Sequence, residues 1–228
     1  LWSDKKLRLR CVDIDTKAVT EVAQSEAFEF HDFGWAPDSK WIVYTRAEWQ
    51  ANSRIYLYSL DQKKTFPVTD EWYSSDNPTF SEDGKYLYFA SDRAYNPIYS
   101  QSEWNHAYRD MAKLYLIPLK KDMTSPFKPE NSEVKLEDKD GAKKDNPKKG
   151  DAKSDTASKP VRVDIDTDGL ADRVVAFPTE AGNYWSVQSI KDKVYYMYWK
   201  MGMEKAKLKI FDLEKKEEGE LGEVNNYI

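Results

Sequence analysis

Large apolar residues recur at every second position in four segments of the chain, and each of these segments begins with a cation. This alternation has the period of a β-strand. The intervening positions are also often large, as at Tyr56, Tyr58 and Tyr115, and a strand that is apolar on both faces is covered on both faces. The four segments are residues 6–12, 54–60, 113–119 and 207–213.

A tight turn and a second strand precede three of these segments. Asp38-Ser39 and Asp83-Gly84 are turn-forming pairs, because an Asp side chain bonds to nearby backbone and Gly tolerates a positive φ. The strands after the turns are predicted at residues 41–45, 86–90 and, in a degenerate copy, 194–198. Weaker fourth strands are predicted at residues 16–22, 64–68 and 214–221.

A quartet of antiparallel strands repeated about every 45 residues is typical of a β-propeller blade. The pattern therefore predicts an all-β fold, a partial β-propeller of about three and a half four-stranded antiparallel blades. The alternative is an aperiodic β-sandwich, which would not repeat the same turn and strand pair three times. The predicted parts are a half blade at 1–23 and blades at 28–69, at 76–127 together with 161–178, and at 183–222.

The repeat pattern begins inside a blade. Residues 1–4 match the end of a second strand such as residues 89–92, and residues 227–228 fall where the next first strand is expected. We therefore expect the sequence to be a fragment of a longer propeller protein. Exposed edge strands pair readily with other chains, so we expect association through these edges, as a homo-oligomer or with neighbouring molecules.

A charged insert interrupts the third blade at residues 128–160. It has no aromatic residue, its only large aliphatic residues are Val134 and Leu136, and nine Lys stand against eight acidic residues. Such a segment buries too little apolar surface to offset the entropy of ordering, so we expect a flexible, solvated excursion. The alternative is a tail that folds on a partner.

Composition excludes several classes of function. The net charge of −5 does not indicate a nucleic-acid partner, and the chain has no apolar run of the length that membrane insertion requires. Cys11 is the single cysteine, so there is no internal disulfide or Cys-based metal cluster. His31 and His106 lack metal partners at helical or hairpin spacing. No cofactor is expected.

One segment resembles the opening of a calcium-binding loop. Residues 164–169 place acids at positions 1, 3 and 5 and Gly169 at position 6, but the bidentate acid needed at position 12 is Val175. The sequence also contains no Gly-x-Ser-x-Gly elbow and no Gly-rich phosphate loop. Neither calcium binding nor catalysis within this chain is expected.

Long loops concentrate at one end of the predicted blades. The loops at residues 47–53, 95–111 and 199–206 leave at the same end, whereas the turns at the other end are minimal. Elaborated loops on a rigid scaffold are where binding residues concentrate. The candidate partner contacts on this rim are Trp49, Trp104, His106, Tyr108 and Arg109. The alternative is local packing of an aromatic-rich insertion.

A family resemblance rests on residues 161–178, 182–184 and 207–214. The stretch Ile-Asp-x-Asp-Gly-Leu-x-Asp-Arg-Val at residues 165–174 is its specific part. These residues resemble the propeller region of tricorn-like proteases, and most closely the second propeller, which lies N-terminal to the catalytic core. The resemblance covers the chain apart from the charged insert.

The resemblance implies a part of a large serine peptidase that trims short peptides. In that family the catalytic Ser/His/Ser/Glu set lies in a C-terminal domain, and the propellers are proposed to channel peptides and to contribute to assembly. No catalytic residue of the family falls on this sequence. The implied partners are peptides and the remaining domains of the parent peptidase, in the cytoplasm as in archaeal relatives or in the periplasm if a signal peptide precedes it.

Two rival functions remain open at the level of sequence. One is a protein-interaction propeller of the kind found in periplasmic translocation proteins, without peptidase function. The other is the propeller gate of a prolyl-oligopeptidase-like enzyme, whose catalytic half would be an α/β-hydrolase. The sequence downstream in the parent gene distinguishes all three.

Overall fold

The computed structural model describes residues 1–48, 52–94, 97–99, 106–127 and 161–224. Regular structure in these residues is β, apart from one 3-10 turn at Ala171–Arg173. No helix in the described part of the chain combines the length and the apolar character that a bilayer span needs. The charged insert predicted at 128–160 lies outside the described residues.

The strands in the described residues form five antiparallel sheets, and the four that contain three or four strands are numbered as blades 1 to 4 in chain order. Blade 1 consists of β1 (Trp2–Asp4), β2 (Arg8–Val12) and β3 (Val19–Gln24). Blade 2 consists of β4 (Phe33–Trp35), β5 (Trp41–Arg46), β6 (Arg54–Ser59) and β7 (Lys64–Pro67). Blade 3 consists of β8 (Ser75–Phe80), β9 (Tyr86–Ser91), β12 (Lys113–Pro118) and β13 (Val175–Ala176). Blade 4 consists of β14 (Asn183–Ile190), β15 (Lys193–Trp199), β16 (Ala206–Asp212) and β17 (Glu217–Val224).

A small hairpin lies between the second and third strands of blade 3. It pairs β10 (Pro97–Tyr99) with β11 (His106–Tyr108) and stands apart from the blade sheets. The predicted all-β fold of antiparallel propeller blades is confirmed by this arrangement.

The blades pack face to face through three apolar cores, because their middle strands are apolar on both sides. In β5, Ile42 and Tyr44 enter the core shared with blade 1, whereas Trp41 and Val43 enter the core shared with blade 3. Tyr88 of β9 enters the core shared with blade 4. We call these cores the first seam (blades 1 and 2), the second seam (blades 2 and 3) and the third seam (blades 3 and 4).

The turns between the first and second strands are held by their Asp side chains, as predicted from turn chemistry. Asp38 Oδ1 accepts a hydrogen bond from the backbone N–H of Lys40 at 3.0 Å, and Asp83 Oδ1 accepts one from Lys85 at 3.1 Å. Ser39 and Gly84 follow with φ values of 58° and 70°. These turns form one end of the blades, which we call the short-turn rim.

The first strands β4, β8 and β14 contact one another in succession, and hydrogen bonds from one blade to the next connect them. Both β8 and β14 contain a bulge, with Asn77 and Ser186 at φ values of 54° and 51°. The Asn77 N–H donates to Asp32 Oδ2 at 3.3 Å, and the Ser186 N–H donates to Asn77 Oδ1 at 3.0 Å. Each bulge is therefore capped by a side chain of the preceding blade.

Residues 161–166, which we call the crossing segment, close the second seam at the short-turn rim. Val163 is buried in the seam, and its N–H donates to Asp38 Oδ2 at 3.1 Å. Farther along, the Asp166 N–H donates to the Leu119 carbonyl at 2.9 Å. A Cβ on Gly84 would lie 2.7 Å from Val163 Cγ2, so this position needs Gly for space as well as for its positive φ.

Candidate functional site on the long-loop rim

The end of the blades opposite the short-turn rim carries the longer connections. It is formed by the loops between second and third strands and by the links from each fourth strand to the next first strand. We call it the long-loop rim, and its described parts are residues 25–32, 47–48, 52–53, 68–74, 92–94, 97–99, 106–112, 177–182 and 200–205.

The structure describes three of the five residues that were predicted as partner contacts. Trp49 and Trp104 lie outside the described residues. His106 begins β11, where its backbone pairs with Tyr99. Tyr108 ends the same strand with 52% of its surface exposed, and the guanidinium of the exposed Arg109 contacts Met201 Sδ on the neighbouring loop.

Asp110 joins the base of this hairpin to blade 4, a role that sequence reasoning missed. Its carboxylate accepts hydrogen bonds from Asn183 Nδ2 at 2.9 Å and from the Met201 N–H at 3.2 Å. Asp110 also has a φ of 51°, a conformation that Asp tolerates better than most residues. An Asp just before a strand was the available signal, but its partners are 73 and 91 residues away.

Cations on this rim are paired with carboxylates and aromatic rings. Arg93 bonds to Asp70 Oδ2 at 2.9 Å, and its guanidinium lies 5.4 Å from the ring centroid of Tyr73. Arg46 contacts Glu48 and lies 4.6 Å above the ring of Tyr56. These pairs hold the loops against the blades and leave little uncompensated positive charge at these two positions.

Two carboxyl groups near this rim, those of Asp76 and Asp92, lie in surroundings that disfavour their negative charge. Asp76 and Asp92 line a cavity of about 140 Å³ between β8, β9 and β14, with Asn183 and Tyr184 on its far wall. Burial raises the pKa of the Asp76 carboxyl; a hydrogen bond with Ser53 opposes this, but the charges of Asp32 and Asp92 add to the rise, so the net shift is upward. Burial also raises the pKa of Asp92. The cavity therefore favours groups that donate hydrogen bonds or carry positive charge.

The long-loop rim also carries exposed aromatic side chains. Trp72 and Tyr73, on the link between β7 and β8, are 77% and 41% exposed, and Tyr108 is exposed on the hairpin. Large aromatic side chains exposed on loops are common at surfaces that bind ligands or partners. Together, aromatic surface and partly buried carboxyls suit a flexible ligand with apolar and hydrogen-bond-donating groups.

The stretch at residues 164–169, which resembles the opening of a calcium loop, surrounds the guanidinium of Arg173 and not a metal ion. Arg173 donates to the backbone carbonyls of Asp166 at 2.5 Å, Asp168 at 3.0 Å and Pro118 at 3.1 Å. The carboxylates of Asp166 and Asp168 accept hydrogen bonds from Lys121. Among the residues that the structure describes, no group of three or more His, Cys, Asp or Glu is arranged to hold a metal ion.

Face-packed four-stranded antiparallel blades with elaborated loops on one rim define a β-propeller. A family model described as the tricorn protease second beta propeller domain matches residues 1–228, and the chain belongs to that family. The resemblance inferred from residues 165–174 is thereby confirmed.

Relatives and a solved structure agree with this assignment. Tricorn protease homolog 1 of Streptomyces coelicolor is 28% identical over 83% of this chain, and a putative Tricorn-like protease C-terminal subunit of Sulfurisphaera tokodaii is 26% identical over 95%. The chain spans only 17% and 23% of their lengths. The crystal structure of the tricorn protease matches the fold with a TM-score of 0.73 over 97% of this chain and 21% of that chain, at 18% identity.

Proposed function

We propose that this chain is the non-catalytic propeller part of a tricorn-like serine peptidase, and that its long-loop rim gates or channels extended peptides. The supporting observation is the concentration of exposed aromatic rings and partly buried carboxyls on that rim. Its relatives carry the names of proteases, which makes a peptide the ligand that such a rim would meet.

An extended peptide matches the chemistry of the rim. Its apolar side chains would lie against Trp72, Tyr73 and Tyr108, because aromatic rings bury much apolar area with little loss of side-chain freedom. Its backbone N–H groups, terminal ammonium or basic side chains would be attracted to Asp76 and Asp92. A folded protein presents fewer free N–H groups to such a cavity, so the rim would select unfolded segments.

A scaffolding role is supported by the outward face of blade 4. Leu208 and Ile210 occupy the repeat positions that Ile55 and Leu57 occupy in blade 2. Ile55 and Leu57 are fully buried under blade 3, whereas Leu208 and Ile210 remain partly exposed. We infer that this face is covered in the assembled peptidase, by further propeller structure or by another copy.

Peptide binding by the long-loop rim can be tested on the chain itself by fluorescence anisotropy with short, labelled, unstructured peptides. Saturable binding is expected, and the double variant Trp72→Ala, Tyr108→Ala should weaken it about tenfold or more, as expected when aromatic contacts are removed. Ile14→Ala removes a side chain that is 78% exposed at the short-turn rim and serves as the matched control. Equal affinity in all three proteins would contradict the proposal.

The non-catalytic assignment has its own assay. Incubation with fluorogenic peptides should release no product, because no catalytic residue of the family falls on this chain. Turnover that a serine-directed inhibitor abolishes would overturn that assignment.

A further inference from the structure

Among the described residues, the third seam has a groove at the short-turn rim. It is a cavity of about 370 Å³, and its walls include Asp83, Tyr86, Lys191 and Leu213. Pro126 lines it as well, and the neighbouring Phe127 packs against Phe177 and Phe211 in the third seam. This size lies within the range of about 300–1,000 Å³ that is usual for ligand pockets. At the second seam, the same end of the interface is filled by the crossing segment.

The two seams present equivalent groups at this end. The Leu119 N–H donates to the Lys85 carbonyl at 2.9 Å in blade 3, and the Leu213 N–H donates to the Asp192 carbonyl at 3.0 Å in blade 4. Leu213 therefore has the position in the third seam that Leu119 has in the second.

The opposite wall of the groove, formed by the blade 3 turn, also matches its counterpart in the second seam, which is the blade 2 turn. The Ala36 N–H donates to the Trp41 carbonyl at 2.9 Å, and the Ser81 N–H donates to the Tyr86 carbonyl at 2.8 Å. These bonds place Asp83 and Tyr86 where the second seam has Asp38 and Trp41. Asp38 and the Leu119 carbonyl are the two acceptors that hold the crossing segment, so the groove repeats both anchor points.

One position differs between the seams. The crossing segment passes over Gly84, the left-handed residue of the blade 3 turn, whereas the left-handed residue of the blade 4 turn is Lys191 with a φ of 54°. A Cβ at Gly84 would stand 2.7 Å from Val163. The Lys191 side chain therefore narrows the space that an equivalent segment would use in the third seam.

We propose that this third-seam groove is a docking site for an extended peptide segment of a partner molecule, with β-branched residues at alternate positions. The segment binds as residues 161–166 bind in the second seam, with one N–H on the Asp83 carboxylate and another on the Leu213 carbonyl. In this mode of recognition, main-chain hydrogen bonds supply affinity and alternate side chains supply specificity. The inference stands on the crossing segment and does not depend on the peptide role proposed for the long-loop rim.

Asp83 can accept the peptide N–H if its carboxylate gives up one existing bond, the ion pair with Lys85. Its Oδ2 bonds to Lys85 Nζ at 2.8 Å, in an ion pair whose side chains are 57% and 42% exposed. Ion pairs this exposed contribute little to stability. A peptide N–H replaces the ammonium at small cost, while Asp83 Oδ1 keeps its turn contacts with Ser81 and Lys85.

The probe is the chain's own crossing sequence, Val-Arg-Val-Asp-Ile, as a peptide with blocked ends and a fluorescent label. Titration into the complete chain should give saturable binding. Lys191→Gly should tighten it about tenfold, because it removes the side chain that crowds the path. This variant keeps its turn, since Gly is favoured at positive φ.

Lys63→Gly is the matched control, because it makes the same Lys-to-Gly change at a left-handed turn residue of blade 2, with a φ of 49°, and should leave the affinity unchanged. A photoreactive group on the peptide should attach it next to Tyr86 or Leu213. The proposal is overturned if the natural chain does not bind the peptide saturably. Equal tightening by Lys63→Gly, or attachment at the long-loop rim or the first seam, also overturns it.

Discussion

Asp76 is held in the protein under conditions that disfavour its charge. Burial and the neighbouring charges of Asp32 and Asp92 raise its pKa, so folding favours the protonated carboxyl. The stability that protonation contributes is complete below the unfolded pKa of about 3.9 and is lost as the pH rises through the folded value.

We therefore expect Asp76→Asn to be more stable than the natural chain at neutral pH. The gain should be a few degrees in Tm at pH 7 and should shrink as the pH falls towards 4, in thermal unfolding followed by circular dichroism.

Asp212→Asn is a control of opposite sign. Backbone hydrogen bonding by Lys215 lowers the pKa of Asp212, so its contribution is present above the unfolded pKa and is lost on acidification. This variant should lose stability at pH 7 and match the natural chain in acid. A stability gain of Asp76→Asn that is independent of pH would contradict the assignment.

The elements most accurately predicted from sequence are the middle strands of each blade. Predictions at residues 41–45 and 113–119 correspond to β5 and β12, because the two-sided apolar pattern is local and strong. The bulges at Asn77 and Ser186 were not predictable. A left-handed residue other than Gly leaves no periodic signal, and the hydrogen bonds that stabilise these bulges come from other blades.

The Asn77 side chain is the element-scale link between β8 and β14, and its removal should be costly. Asn77→Ala loses the acceptor for the Ser186 N–H and places Ala at positive φ, which together cost about 2 kcal/mol. Asn77→Gly loses the same acceptor but relieves the backbone, so it should lose less stability than Asn77→Ala. Urea unfolding measures both variants, and an Asn77→Gly variant as stable as the natural chain would show that the link contributes nothing.

At the scale of the whole molecule, the sequence predicts which repeats pack together but not what crosses their rims. The alternation of apolar residues indicated that each blade is covered on both faces, and the three seams follow from it. The crossing segment at 161–166 depends on Gly84 and Asp38, which lie far away in the chain and resemble ordinary turn residues. Likewise, the predicted rim residues Tyr108 and Arg109 gave no indication that Asp110 attaches them to blade 4.

We expect the outward face of blade 4 to determine whether the molecule associates in solution. Leu208 and Ile210 share that face with Tyr195 and Met197, their cross-strand partners in β15, and partly exposed apolar sheet faces associate to remove their surface from water. We expect sedimentation velocity to show association that increases with concentration, and Ile210→Lys to weaken it at least tenfold, because a lysine charge would have to be buried at the contact. Val19→Lys, at a side chain that is 47% exposed on the outer strand of blade 1, should leave the association unchanged. If Ile210→Lys associates as strongly as the natural chain, the contact lies elsewhere and the scaffolding role loses the surface on which it was argued.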